Sequence, residues 1–145
     1  MCALNALGKA EGADRGEKEA FPLLAADTIV TIGGKILGKP KDRGDAFRML
    51  RFLSGRDHFV KTGTAILYRD RSLVTVTTTE VRFRSLTDRE IEDYIATGEP
   101  MDKAGAYGIQ GLGTLLVEGI QGSYDNVVGL PLTAVYEMMK TLGAL

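Results

Sequence analysis

A chain of 145 residues is long enough to fold as one domain around a sizeable core. Hydrophobic residues at 44% and charged residues at 26% exclude the disordered and fibrous classes. Eighteen Lys and Arg against nineteen Asp and Glu leave a net charge of -1, so no bulk field is present to hold nucleic acid or an anionic membrane. A single cysteine, Cys2, excludes an internal disulfide, and a single histidine, His58, excludes a Cys/His zinc site. No uncharged apolar run approaches the roughly 18 residues of a membrane span, and the start lacks a basic-then-apolar signal pattern. The expectation is a cytoplasmic single domain over 1–145, weakly ordered over 1–20, with neither nucleic acid nor membrane as partner.

In chain order, residues 1–11 carry a helical pattern through Leu4, Leu7 and Ala10, weakened by Gly8, Gly12 and Gly16. Asp14 to Glu19 is a charge run suited to a solvated loop. Leu23 to Ala26 is a short apolar run that meets Asp27 and Thr28 and continues through Ile29 to Ile32, and Gly33-Gly34 predicts a hairpin into Lys35-Ile36-Leu37. A helix places Ala46, Phe47, Leu50 and Leu53 on one face and stops at Ser54-Gly55. Stretches 58–68 and 73–84, rich in Val, Thr and Ile, predict two strands joined by a turn at Arg69-Asp70-Arg71-Ser72. Thr87-Asp88-Arg89-Glu90 is a capping box with Leu86 and Ile91 as its hydrophobic staple, and Gly98 ends that helix. Leu115 to Ile120 and Asn126-Val127-Val128 predict two shorter strands. A last helix from Leu132 is expected to bury Leu132, Val135, Tyr136, Met139 and Leu142. Interleaved helices and strands without a strict βαβ rhythm predict an α/β fold, a mixed sheet flanked by helices.

Chemistry has few places to sit. Asp27 lies inside an apolar run, where an unpaired carboxylate is costly. It either projects into a cleft, to coordinate a divalent cation or accept a proton from water, or makes a local turn with Thr28. Lys39 and Lys41 flank Pro40 and are either phosphate contacts or solvated loop lysines. Glycine, 18 in all, gathers at 33–38, 98–113 and 119–129. In the densest stretch, 98–113, small residues would let backbone amides approach a ligand, and Gln110 offers both a donor and an acceptor. Glu99, Asp102 and Lys103 form either an ion-pair network or a metal and phosphate site, unless the stretch is a plain glycine loop. No Walker A sequence or dinucleotide fingerprint occurs, and His58 has no serine or cysteine motif to make a triad.

Five ordered blocks carry a family resemblance: Ala25-Ala26-Asp27-Thr28-Ile29-Val30, Leu37-Gly38-Lys39-Pro40, Leu53-Ser54-Gly55-Arg56, the run Asp102 to Gly111, and Gly122 to Pro131. Their order and spacing resemble the Maf family of nucleoside triphosphate pyrophosphatases from about residue 3 onward. The resemblance implies a Maf/ITPase-like α/β fold with a mixed twisted sheet, and hydrolysis between the α and β phosphates to a nucleoside monophosphate and pyrophosphate. It implies Asp27 as catalytic proton acceptor and as ligand of Mg²⁺ or Mn²⁺, Thr28 and Gln110 as substrate-selecting residues, and Lys39, Lys103 and Lys9 near the phosphate chain. The form Asp102-Lys103-Ala104-Gly105-Ala106-Tyr107-Gly108-Ile109-Gln110 is similar to the branch acting on dTTP and UTP. Homodimerisation is a further implication.

The sequence departs from the family pattern at its start. The family's opening Ser-x-Ser-Pro-Arg-Arg loop is not seen, and Met1 falls well inside the family's span, so an N-terminally shortened member is expected. That departure leaves a second reading open, a catalytically silent Maf-like domain that binds nucleotide or a partner.

Overall fold

The computed structural model describes residues 2–11 and 21–145. The expected loop at Asp14 to Glu19 therefore lies outside the described residues. Helix α1 (Cys2–Glu11) is followed by strands β1 (Leu23–Ile32) and β2 (Lys35–Leu37), helix α2 (Arg43–Leu53), and the long strands β3 (Asp57–Tyr68) and β4 (Arg71–Phe83). Helix α3 (Asp88–Ala96) leads into three short 3-10 turns at Glu99–Asp102, Ala104–Ala106 and Gly111–Leu116. Strand β5 (Val117–Gln121) and helices α4 (Tyr124–Val128) and α5 (Leu132–Leu142) close the chain. The sheet order is β2-β1-β3-β4-β5. The helix-flanked α/β architecture is as expected, but all four described pairings are antiparallel rather than mixed. Among the described residues no helix is long and apolar enough to cross a membrane.

Side chains alternate between the two faces of a strand, and this sorts the packing. On one face α1 lays Ala6 and Ala10 against Leu23, Ala25, Ala65 and Leu67. On the other, Val30, Ile32, Val60, Val81 and Phe83 form the main core with Leu50 and Leu53 of α2 and Ile91 of α3. A smaller cluster joins Ile66 to Val135, Met138 and Leu142 of α5. Asp27 and Thr28, being neighbours on β1, consequently face opposite sides of the sheet.

Local signals account for most boundaries. Gly33 and Gly34 have φ of 54° and 80°, the two positive values that a two-residue hairpin between Ile32 and Lys35 requires. Asp42 caps α2 by accepting from the Asp45 amide, and the capping box of Thr87 and Glu90 is fully formed. Gly98 adopts the left-handed conformation just after α3.

Four expectations are corrected. The β3–β4 turn is only Arg69-Asp70, because Tyr68 pairs with Arg71 and Leu67 with Ser72, so cross-strand pairing absorbs two polar residues. Asn126-Val127-Val128 is helical: the Ser123 side chain accepts from the Asn126 amide and nucleates α4, overriding the β preference of the paired valines. Leu115 and Leu116 belong to a 3-10 turn, and β5 begins at Val117. In α5 the buried residues are Val135, Met138 and Leu142, whereas Leu132 and Tyr136 are exposed. That helix rests on the sheet along a narrow i, i+3, i+7 stripe, so its flanking apolar residues reach solvent.

Candidate functional site

Asp27 sits at the middle of β1, opposite Gly63 of β3. Its Oδ1 accepts from Lys9 Nζ at 3.0 Å and its Oδ2 from Asn5 Nδ2 at 3.1 Å, both donors coming from α1. Lys9 Nζ also donates to the Ala26 carbonyl at 3.1 Å. The helix thus delivers a cation and an amide to one carboxylate, whose side chain stays 21% exposed. A carboxylate has about four acceptor positions, so two direct donors leave room for a further ligand.

A cavity of about 310 Å³ opens at this carboxylate, at the small end of the range for ligand pockets. Lys9, Asp27, Thr28, Lys39, Lys103 and Gln110 all line it. Asp102 lines it too, and three lysines against two aspartates give the cavity a net cationic wall. Lys103 Nζ donates to Asp102 Oδ1 at 2.9 Å and to the Glu99 carbonyl at 3.1 Å. Lys103, with Lys39 further off, holds the Asp102 carboxyl below its ordinary range.

Two loops carry the lysines, and the backbone ties them together. The Gly105 amide donates to the Gly38 carbonyl at 3.1 Å, setting Lys39 beside Lys103. Gly105 has φ of 74°, and a Cβ there would lie 3.0 Å from Val30 Cγ2, so both conformation and space demand glycine.

The glycine-rich run behind Gln110 is anchored by Glu99. Its Oε1 accepts from Tyr94 Oη at 2.9 Å and from the Gly113 amide at 3.1 Å, and its Oε2 from the Leu112 amide at 3.2 Å. Of the two roles open to Glu99 in the sequence, neither is used: its carboxylate holds backbone. Among the described residues no group of three His, Cys, Asp or Glu side chains gathers to cage a metal.

Tyr107, another lining residue, is fixed from behind by His58. His58 Nε2 lies 2.7 Å from Tyr107 Oη, and both residues are buried with Phe83 against their rings. Burial pushes the Tyr107 phenol up and the His58 imidazole down, so both are neutral, and the phenol donating to Nε2 leaves fewer buried atoms unpaired than the reverse. His58 is thus a core residue with its proton on Nδ1, an atom without a hydrogen-bond partner among the described residues.

Sequence reasoning misses Asn5, Thr62 and Asn126. Thr28 Oγ1 lies 2.9 Å from Thr62 Oγ1, and Thr62 donates to the Asn126 carbonyl at 3.2 Å. These partners are separated by 22 to 64 residues, and only the strand register discloses them. Asn126 lies inside one of the five family blocks, and a polar amide beside paired valines is the available signal.

Residues 1–142 match the family model described as Maf-like protein. A dTTP/UTP pyrophosphatase of Dictyoglomus thermophilum is 50% identical over 141 residues, covering 96% of this chain and 72% of that protein. One of Moorella thermoacetica is 54% identical over 140 residues, covering 95% and 72% respectively. One of Halalkalibacterium halodurans is 52% identical over 135 residues, covering 93% and 70%. A match along nearly the whole chain, running through every segment that lines the cavity, means that the chain belongs to the Maf-like protein family.

Proposed function

We propose that the chain is a nucleoside triphosphate pyrophosphatase acting on dTTP and UTP, releasing the monophosphate and pyrophosphate. The observation that carries the reading is the Asp27 carboxylate opening into a cavity lined also by Lys9, Lys39, Lys103, Thr28 and Gln110. Relatives 50% and 54% identical are named for this activity, which favours turnover over a silent or sensing domain. The reading puts the protein in the cytoplasm, where nucleoside triphosphates are held.

Triphosphate is the ligand best matched by the charge. Lys39 and Lys103 approach the cavity from two tied loops and Lys9 from α1, and cations so placed stabilise phosphate oxygens most where negative charge grows. Asp27 takes the proton from the attacking water as the bond between the α and β phosphates breaks. Asn5 and Lys9 hold the carboxylate in one orientation while it does so. Gln110 and Thr28 face the base.

A hard divalent cation fits the donor set. Mg²⁺ and similar ions that travel with a nucleotide use one or two protein carboxylates plus phosphate oxygens, and Asp27 with Asp102 supplies that number. When bound there, Mg²⁺ or Mn²⁺ neutralises charge on the phosphate oxygens.

The test is release of pyrophosphate from dTTP and UTP by the purified chain in Mg²⁺, compared with Asp27→Asn. Release by the parent and its loss in the variant are expected. Binding of both nucleotides without release would overturn the enzymatic reading in favour of a sensor.

A further inference from the structure

The direction of the Thr28 hydroxyl is decided by its surroundings. A hydroxyl has one hydrogen to give. The Asn126 carbonyl can only accept, so Thr62, at 3.2 Å, gives its hydrogen there. The 2.9 Å contact between Thr62 and Thr28 is then a hydrogen bond only when Thr28 is the donor. Reversing it would cost the carbonyl one of its two donors and leave it the Gly129 amide alone, at a point where Thr62 and Asn126 are both fully buried. Nor can the receiving end turn away. Asn126 Nδ2 reaches the Val60 and Thr77 carbonyls at 3.1 Å and Thr79 Oγ1 at 3.0 Å, and its own carbonyl also takes the Gly129 amide.

We propose that Thr62 is a positioning residue: by taking the Thr28 hydrogen it leaves Thr28 an oxygen that only accepts from the cavity, and the pocket thereby selects a base edge carrying N–H. The chemistry of the ligand rests on the pyrophosphatase reading. Uracil and thymine carry N3–H between two carbonyls, while cytosine presents a bare ring nitrogen at that position. An acceptor facing N3–H gains a hydrogen bond, whereas an acceptor facing the cytosine lone pair leaves both unpaired. Gln110, on the same cavity, has the amide hydrogens to meet a flanking pyrimidine carbonyl. A free threonine could rotate and serve either base, so the selection depends on Thr62 and Asn126, neither of which needs to touch the nucleotide.

The test compares UTP with CTP in the parent, Thr62→Val and Thr62→Ser. Two readouts are taken: kcat/KM for pyrophosphate release in Mg²⁺, and calorimetric Kd for the uncleaved α,β-methylene analogues of the two nucleotides. The parent is expected to favour the uridine compound by about a hundredfold or more. Thr62→Val keeps the shape but frees the Thr28 hydrogen, and should lower that preference about tenfold or more, with the cytidine compound gaining in absolute terms. Thr62→Ser should retain the parent ratio. A folded Thr62→Val with an unchanged ratio, or a parent that takes both nucleotides alike, overturns the proposal, since a purely structural role would weaken both together. If Thr62→Val shows no cooperative melt, Thr62→Ala, which also frees the Thr28 hydrogen, decides: it must lower the ratio in the same direction. Failure to release pyrophosphate from any nucleotide would overturn the enzymatic reading alone, and the Kd ratio would still support or overturn the role of Thr62.

Discussion

Gly63 stands opposite Asp27 in the β1–β3 ladder, and the backbone of Cys2 and Ala3 occupies the place where a side chain on Gly63 would go. The close approach of α1 to the sheet is what brings Asn5 and Lys9 within hydrogen-bond reach of the carboxylate. Gly63→Ala should therefore lift the start of α1 off the sheet, lowering stability by about 1–3 kcal/mol as overpacking does. Displacing the two donors should reduce kcat/KM for UTP about a hundredfold. Gly119→Ala, where a Cβ would meet nothing within 4 Å, is the control expected to change neither. Urea denaturation and pyrophosphate release check both effects, and hydrogen exchange at residues 2–11 should report the undocking directly.

The Lys9–Asp27 pair has an exposed cation and a half-buried anion, a geometry that contributes little to folding. Asp27→Asn should leave stability within about 1 kcal/mol of the parent. Its kcat should nonetheless fall by about a hundredfold or more, through loss of the proton acceptor. Lys9→Met keeps most of the aliphatic stem and loses the charge, so KM for UTP should rise about tenfold. Stability and turnover measured on the same samples separate these outcomes; a large loss of stability in Asp27→Asn would make the carboxylate a structural group.

How far these arrangements are legible in the sequence follows from the range of the signals. The capping box at Thr87 and Glu90 and the hairpin at Gly33-Gly34 are written in residues two to four apart, and both form as read. The valines at 127 and 128 mislead because a single side-chain bond, Ser123 to the Asn126 amide, outweighs β preference in so short an element. His58 opens the strand expected over 58–68, and alternation along β3 turns it inward onto Phe83 and Tyr107. The site shows the same division. Asp27 stands out as a carboxylate in an apolar run, Lys39, Asp102, Lys103 and Gln110 as polar side chains in glycine-containing loops, and the roles of Thr28 and Lys9 come from the family resemblance. Asn5, Thr62 and the anchoring role of Glu99 cannot be read, because each depends on which strand or loop lies alongside.

Glu99 closes its loop with acceptors only, so exchange for glutamine inverts part of the bonding. In Glu99→Gln an amide NH₂ would face either Tyr94 Oη and the Gly113 amide or the Leu112 amide, setting donor against donor. Burial, reinforced by the Glu99 carboxylate, pushes the Tyr94 phenol up against the opposing pull of the Gly108 amide, so its hydrogen remains available to be misplaced. The variant should lose about 2 kcal/mol of stability. Because the loop carries Gln110, KM for UTP should rise while kcat falls less, and steady-state kinetics with a melting curve tests both.

His58 gives the protein a pH dependence that is independent of catalysis. Burial pushes its imidazole from 6.5 down to about 4, with the charge of Asp57 opposing the shift only in part. Between those two values the unfolded chain binds a proton that the folded chain refuses, so stability rises with pH across the window and is level above it. At the lower end the accumulated loss is about 3 kcal/mol. His58→Gln keeps an acceptor for the Tyr107 hydroxyl but cannot titrate. Urea denaturation followed from pH 7 downward should show the parent losing stability more steeply than the variant, the two curves separating below about pH 6.5. Parallel curves would mean that the imidazole is protonated in the folded protein, and that Tyr107 Oη then accepts from Nε2 instead of donating to it.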